Sequence, residues 1–441
     1  MTAGIRGTID RLAFGGSGVC RVDGKVWFVP GGCPGDEVLL EAVTEKRSYV
    51  TGRILRVLSP SPDRVEPSCP HFGRCGGCAW QHVSYDRQLA EKRDILADAL
   101  WRGARVPGER VGATLPSGRR CGYRSRVQFK LFRDRDRLHI GFYSGASHRV
   151  VDLPGGCPVA VPAVNEALSQ LRALLQDFPD QDRIPQINID CGDTAAVAVV
   201  NYIGASPSAA AEFFRVRRAE LTSLEGLWLQ TGRKSTLTRV WGGDLIRYSM
   251  PAAAGREVML GFPPGGFSQV NLDQNRVMLG TVRSLLAPGG TGQLLDLYCG
   301  NGNFSLPLSG EVAAISGIEG YEGSIAAARE NCRLNGIAHA CFHCADAAAG
   351  IREFSAEGRC FDAVILDPPR SGAADAAALL PGLAPERIVY ISCDPGTLAR
   401  DCGILAGGGY CVETSVPVDM FPQTHHIESV TLLTKQNRGD R

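Results

Sequence analysis

The chain has 441 residues, room for two or three domains at about 150 residues each. Its 47 Lys/Arg against 46 Asp/Glu leave a net charge of +1, which excludes a chain that is basic throughout, and 44% hydrophobic with 21% charged residues excludes a disordered one. No run of 18 apolar residues suits a membrane-crossing helix, and Met1–Asp10 lacks the apolar stretch of a secretory leader. The expectation is a cytoplasmic monomer with no membrane partner. Its 16 cysteines are then reduced, so a tight cysteine cluster reads as metal-binding or catalytic rather than disulfide-forming.

Residues 1–58 are read as short strands separated by glycine turns: Gly4–Asp10, Lys25–Pro30, Gly35–Glu41 and Ser48–Val57. That spacing predicts a small antiparallel β-barrel. Ser59-Pro-Ser-Pro-Asp63 is a linker. Residues 59–264 form a mixed α+β domain. Leu89, Ile95, Leu96 and Leu100 mark a helix over Tyr85–Trp101, and strands are predicted at Arg124–Phe132 and Gln186–Asp190.

Two features of this middle region carry chemistry. Cys69, Cys75 and Cys78 stand in a Cys-x5-Cys-x2-Cys pattern on a glycine-rich loop, and Cys157 in Gly-Gly-Cys-Pro offers a fourth thiol. Four thiolates suit either an iron–sulfur cluster or tetrahedral zinc, and the spacing leaves both open. Between Arg87 and Arg149 there are 15 Lys/Arg against 6 Asp/Glu, interleaved with Trp101, Tyr123, Phe129, Phe132, Phe142 and Tyr143. Cations meet phosphates and aromatic faces meet unpaired bases, so this stretch predicts an RNA-facing surface.

Residues 265–441 change character. Apolar strands at Leu294-Leu295, Ala314-Ile315, Ala363–Leu366 and Ile388–Ile391 alternate with helices, the rhythm of an α/β domain with a parallel sheet. Leu294–Phe304 runs from a strand into a turn with Gly300 and Gly302, followed by a predicted helix. Asp296 lies at that strand's end, and Glu319, 23 residues on, stands where a carboxylate meets ribose hydroxyls. A single Gly-x-Gly without the longer pyrophosphate fingerprint favours S-adenosylmethionine over NAD. Asp346 is a third strand-end carboxylate, suited to an adenine edge and equally to capping the helix that follows. Asp367-Pro-Pro-Arg370 fixes a rigid loop at the next strand end.

Cys393 in Ser-Cys-Asp-Pro ends another apolar strand, and Glu428 precedes the last one. One reaction uses both. Addition of a thiolate to uracil C6 makes C5 nucleophilic enough to take a methyl group, and a base then removes the C5 proton. Asp394 puts an anion next to the thiol in sequence, with the expectation that it raises the thiol pKa. From Gly290 onward there are 10 Lys/Arg against 18 Asp/Glu, matching a cationic cofactor.

Together these motifs resemble the RNA uracil-C5 methyltransferase family, nearest its iron–sulfur members that act on 23S ribosomal RNA, over nearly the whole chain. The resemblance implies a TRAM domain, an OB-like RNA-binding β-barrel, at 1–58, an α+β iron–sulfur domain at 59–264 and a Rossmann-like class I methyltransferase domain at 265–441. It implies a 4Fe–4S cluster on Cys69, Cys75, Cys78 and Cys157. It places Gln269, Tyr298, Asn303, Glu319, Asp346 and Asp367 along the S-adenosylmethionine and uracil sites, with Cys393 as nucleophile and Glu428 as base. Competing readings are a tRNA substrate, methylation of a base amino group through Asp367-Pro-Pro, and a non-enzymatic RNA-binding protein.

Overall fold

The computed structural model describes residues 4–436 apart from 136, 146, 233–235, 290 and 291. The described residues form three sheets and one hairpin. In the first, β1 (Ile5–Thr8), β2 (Arg11–Leu12), β3 (Gly18–Val22), β4 (Lys25–Val29), β5 (Glu37–Glu45) and β6 (Tyr49–Ser59) run in the order β1-β5-β6-β4-β3-β2. Pairing is antiparallel except between β4 and β6. The sheet curls until β1 touches β3, around a core of Ile9, Cys20, Trp27, Val29, Val38, Leu40 and Val50.

The helix α1 (Tyr85–Ala104) follows, then β7 (Arg126–Arg133), β8 (Leu138–Tyr143), β9 (Val150–Asp152), α2 (Pro162–Leu174), β10 (Gln186–Cys191), β11 (Ala196–Asn201), α3 (Pro207–Val216), β12 (Leu224–Gln230) and β13 (Leu237–Trp241). These strands make a seven-stranded sheet ordered β13-β12-β11-β10-β7-β8-β9, with α2 and α3 on its apolar face. Strand parity settles the fate of the aromatic residues read as RNA-facing. Val127, Phe129 and Leu131 point inward on β7, so Phe129 is core, and Phe142 stacks on it at 5.4 Å. Tyr123 is buried, its hydroxyl donating to the Pro422 carbonyl at 2.9 Å. Trp101, Phe132 and Tyr143 are exposed.

The hairpin β14 (Ile246–Pro251)–β15 (Glu257–Phe262) leads to α4 (Leu272–Leu286) and the third sheet. This sheet contains β16 (Gln293–Leu297), β17 (Ala314–Glu319), α5 (Glu322–Asn335), β18 (Ala340–Cys344), α6 (Ala347–Ala356), β19 (Ala363–Leu366), α7 (Ala374–Leu379), β20 (Arg387–Ser392), α8 (Pro395–Gly407), β21 (Tyr410–Val418) and β22 (Glu428–Lys435). The strand order is β18-β17-β16-β19-β20-β22-β21, parallel except for β22, which is antiparallel to both neighbours. The central strands β16, β19 and β20 are almost wholly buried because helices cover both faces.

Upstream segments complete this unit. The helix α1 packs on α8, so closely that a Cβ on Gly103 would sit 2.7 Å from that of Ala399. Val111 and Leu115 bridge to Ser415 and Val418 beside β21. The hairpin buries Tyr248, Met250, Leu260 and Phe262 against α4 and the turn after β16.

Candidate active site

The carboxyl ends of β16, β17, β19 and β20 open on one side of the sheet, and the antiparallel β22 starts there. That geometry gathers Asp296, Glu319, Asp367, Cys393 and Glu428 from distant parts of the sequence. After β16 the chain turns through Tyr298, a non-glycine residue at φ +61°, then Gly300 and Gly302 at +55° and +83°. A Cβ on Gly302 would meet Leu306 at 2.6 Å, so glycine is required there. The α-helix predicted after this turn is instead a 3₁₀ helix, Leu306–Glu311, with Pro307 in its first turn. No long helix therefore aims its N-terminus at the turn, which removes the usual seat for a pyrophosphate.

Glu319 ties the turn to the neighbouring strand: one oxygen accepts from the Gly300 N–H at 3.3 Å, the other from the Tyr321 N–H at 2.9 Å. Asn303 exchanges amide hydrogen bonds with Asn275 of α4, at 2.8 and 2.9 Å, and accepts from the Tyr248 hydroxyl at 3.0 Å. Gln269 is buried in the loop before α4. Asp346 is exposed and caps α6, accepting from the Ala349 N–H at 3.1 Å.

The electrostatics show one coupled group. Burial pushes Asp296 up to about 7, with Glu319 adding to the shift and Ser305 opposing it. Burial pushes Asp367 up to about 8, reinforced by Asp296 and Glu319. Glu428 is likewise pushed up to about 8 by burial and by Asp367, against the pull of Arg370 and Lys92. Burial, then Glu428 and Asp367, lift the Cys393 thiol to about 12, and Arg370 pulls the other way. Asp394 behaves differently from its sequence reading. Its carboxylate turns away to cap α8, accepting from the Gly396 and Thr397 N–H groups at 2.9 Å each. The anions that act on the thiol are Glu428 and Asp367, which only the fold brings near.

Cys69, Cys75, Cys78 and Cys157 line one cavity of about 540 Å³, with Gln128, Phe267 and His426 also in its wall. Burial first, then Cys157, Cys75 and Cys69, push the Cys78 thiol up to about 12, with a hydrogen bond to Gln81 opposing them. The expected metal centre is not formed as a ligand cage. Among the described residues no three His, Cys, Asp or Glu side chains stand in a group that could hold a metal ion. The Cys75 thiol instead accepts from the Gly77 N–H at 3.4 Å.

Sequence reading missed Lys92, Asp419 and the strap 419–427 that runs into Glu428. Lys92 and Asp419 form a fully buried ion pair at 2.5 Å. A lysine on the apolar stripe of a helix, three residues from Leu89 and Ile95, was the available signal.

A parallel α/β sheet with an antiparallel strand inserted at one side, a glycine turn after its central strand and carboxylates at its strand ends define the methyltransferase class. The family described as tRNA (Uracil-5-)-methyltransferase matches residues 84–436, and the chain belongs to it. The 23S rRNA (uracil(1939)-C(5))-methyltransferase RlmD of Alkalilimnicola ehrlichii is 37% identical over 435 residues, covering 97% of this chain and 96% of that protein. The protein of the same name from Methylococcus capsulatus is 36% identical, with 97% and 96% covered. Among solved structures, the Pyrococcus abyssi tRNA (uracil-54, C5)-methyltransferase in complex with S-adenosyl-L-homocysteine superposes with a TM-score of 0.74. It is 26% identical and covers 98% of this chain and 100% of that one.

Proposed function

We propose that the protein transfers a methyl group from S-adenosylmethionine to C5 of a uridine in 23S ribosomal RNA. The observation that carries this reading is the convergence of Cys393, Glu428 and Asp367 beside Arg370 at one end of the third sheet. The Cys393 thiolate adds to C6, C5 attacks the donor methyl, Glu428 takes the C5 proton, and the C6–sulfur bond breaks to release product and thiolate. Arg370 and the N-terminus of α8 favour the thiolate. The Asp367 carboxyl, kept protonated near neutral pH by burial, donates to the uracil edge. Gln269, Tyr298, Asn303, Glu319 and Asp346 hold the methyl donor. The choice of ribosomal over transfer RNA rests on the two relatives of that name.

Residues 1–58 act as a TRAM-type RNA-binding barrel. The four cysteines line one cavity, and the family resemblance favours a 4Fe–4S cluster there over zinc. Cys69, Cys75, Cys78 and Cys157 would hold the cluster, which would staple the loop at 69–78 to the segment at 157. Iron and sulfide that accompany anaerobically purified protein and are lost in Cys78→Ser support this; stoichiometric zinc overturns it.

RNA containing 5-fluorouridine tests the reaction. Fluorine at C5 cannot leave as a proton, so a methylated RNA adduct on Cys393 is expected to accumulate. Adduct formation by Cys393→Ala, or methylation by that variant, overturns the assignment and returns the Asp367-Pro-Pro amino-group reading.

A further inference from the structure

Three side chains on one face of α1 reach the strap that carries Glu428. Tyr85 donates to Asp419 at 2.7 Å and accepts from the Ser117 N–H at 2.8 Å. Gln88 forms a reciprocal pair with Gln423, its amide donating at 3.1 Å and its carbonyl accepting from the Gln423 N–H at 3.0 Å. Lys92, with no exposed surface, donates to Asp419 at 2.5 Å and to the Phe421 carbonyl at 3.0 Å. Tyr123 holds Pro422. The strap joins β21 to β22 and has other anchors, the Gln423 carbonyl accepting from the Ala79 and Trp80 N–H groups and the Asp419 N–H donating to the Leu115 carbonyl, while α1 supplies the buried side chains that fasten it.

A buried lysine is an expensive way to fasten a loop, because removing its charge from water costs several kcal/mol that one ion pair rarely returns. Neutral side chains, as at Tyr85 and Gln88, do the same fastening. What the cation adds is a field, and its partner Asp419 directly follows Val418, the cross-strand partner of Glu428.

We propose that Lys92 is a positioning residue that sets the ionisation of Glu428 and the placement of the strap, so that α1 controls proton removal from outside the methyltransferase sheet. This rests on the assignment of Glu428 as the base. The groups facing Glu428 are Asp367 and Arg370 from the loop after β19, Cys393 from the end of β20 and Lys92 from α1. Those facing Lys92 are Asp419, Glu428, His425, His426 and the Trp80 ring. Asp367 opposes ionisation of Glu428; Arg370 and Lys92 favour it.

The test is the pH dependence of single-turnover methyl transfer with saturating S-adenosylmethionine and RNA, for the full-length protein. Lys92→Met is expected to move the rising limb up by about half a pH unit, because a cation that favours the Glu428 carboxylate is lost. The loss of rate is then greater at pH 6.5 than at pH 9. Lys92→Arg restores a cation at the same place, so its limb is expected to stay near that of the wild type. Rescue by arginine and not by methionine marks the charge as the cause, and a folded Lys92→Met alone suffices to read the shift. A Lys92→Met limb that stays in place while the rate falls equally at every pH means Lys92 is only structural and overturns the proposal. Glu428→Gln separates the underlying assumption: if the limb persists in that variant, Glu428 is not the base and the fault lies with the assignment rather than with Lys92.

Discussion

Replacing Glu428 with glutamine is expected to stabilise the protein at the pH where it abolishes turnover. The carboxyl is buried, and its pKa moves from 4.5 to about 8, first through burial and then through Asp367. A raised folded-state value means that the stabilising contribution is complete below 4.5 and is lost as pH rises through 8. At about 1.4 kcal/mol per unit, the folded state forgoes about 3 kcal/mol at pH 7 and about 5 kcal/mol above pH 8. Glutamine does not titrate, so the gap between variant and wild type opens between pH 5 and pH 8. Thermal unfolding of both proteins at pH 5, 6.5 and 8 without cofactor measures it. Near-equal midpoints are expected at pH 5, and a variant several degrees more stable at pH 8. A pH-independent gap, or a less stable variant at pH 8, refutes the buried, cofactor-free carboxylate as a source of strain.

Three further outcomes follow from the same geometry. S-Adenosylmethionine is cationic and favours ionised carboxylates, so its binding is expected to release protons near pH 7, where Asp296 is partly protonated. Calorimetry in buffers of different ionisation enthalpy reads this, and affinity rises from pH 6 to pH 8. Phe132→Ala and Tyr143→Ala are expected to weaken RNA binding by about 1 kcal/mol or more each through lost stacking. Phe129→Ala costs about 3 kcal/mol or more of stability and leaves RNA affinity nearly unchanged, as a filter-binding assay beside a melt will show. Asp394→Ala loses the α8 cap, worth about 1 kcal/mol, and lowers turnover through Cys393, whereas Asp394→Asn retains both.

The strand ends were legible because buried parallel strands are continuous apolar runs, and the residue after each run falls in the crevice whatever the details of packing. Asp296, Glu319, Asp367 and Cys393 were found in that way. The terminal Glu428 was reached through the chemistry, since a thiol adduct at C6 demands a base. What stayed hidden depends on distance through space. Asp394 lies next to Cys393 in sequence and was read as its anionic neighbour, yet the helix N-terminus claims its oxygens. Phe129 and Phe132 both lie in a basic stretch, and only the parity of β7 sends one inward and the other out. The role of α1 was hidden because its buried side bears Tyr85, Gln88, Glu91 and Lys92, which weaken the apolar stripe that periodicity detects.

The negative charge of this catalytic end is more than a match for a cationic cofactor. Burial first, then Glu428 and Asp367, lift the Cys393 thiol to about 12, so the proposed nucleophile is dormant before the cofactor binds. A thiolate formed too early invites oxidation and alkylation. A bound sulfonium cation offsets those carboxylates and lowers the thiol pKa, which makes cofactor binding a condition for attack on the base. Alkylation of Cys393 by iodoacetamide at pH 8, followed by peptide mass spectrometry to separate it from the exposed Cys341, Cys344 and Cys360, tests this order. S-Adenosylhomocysteine has nearly the same shape without the sulfonium charge and controls for shielding. Cys393 is expected to react faster with S-adenosylmethionine bound than with S-adenosylhomocysteine bound. Equal rates mean that the cofactor's charge does not activate the thiol, and that activation comes from the RNA instead.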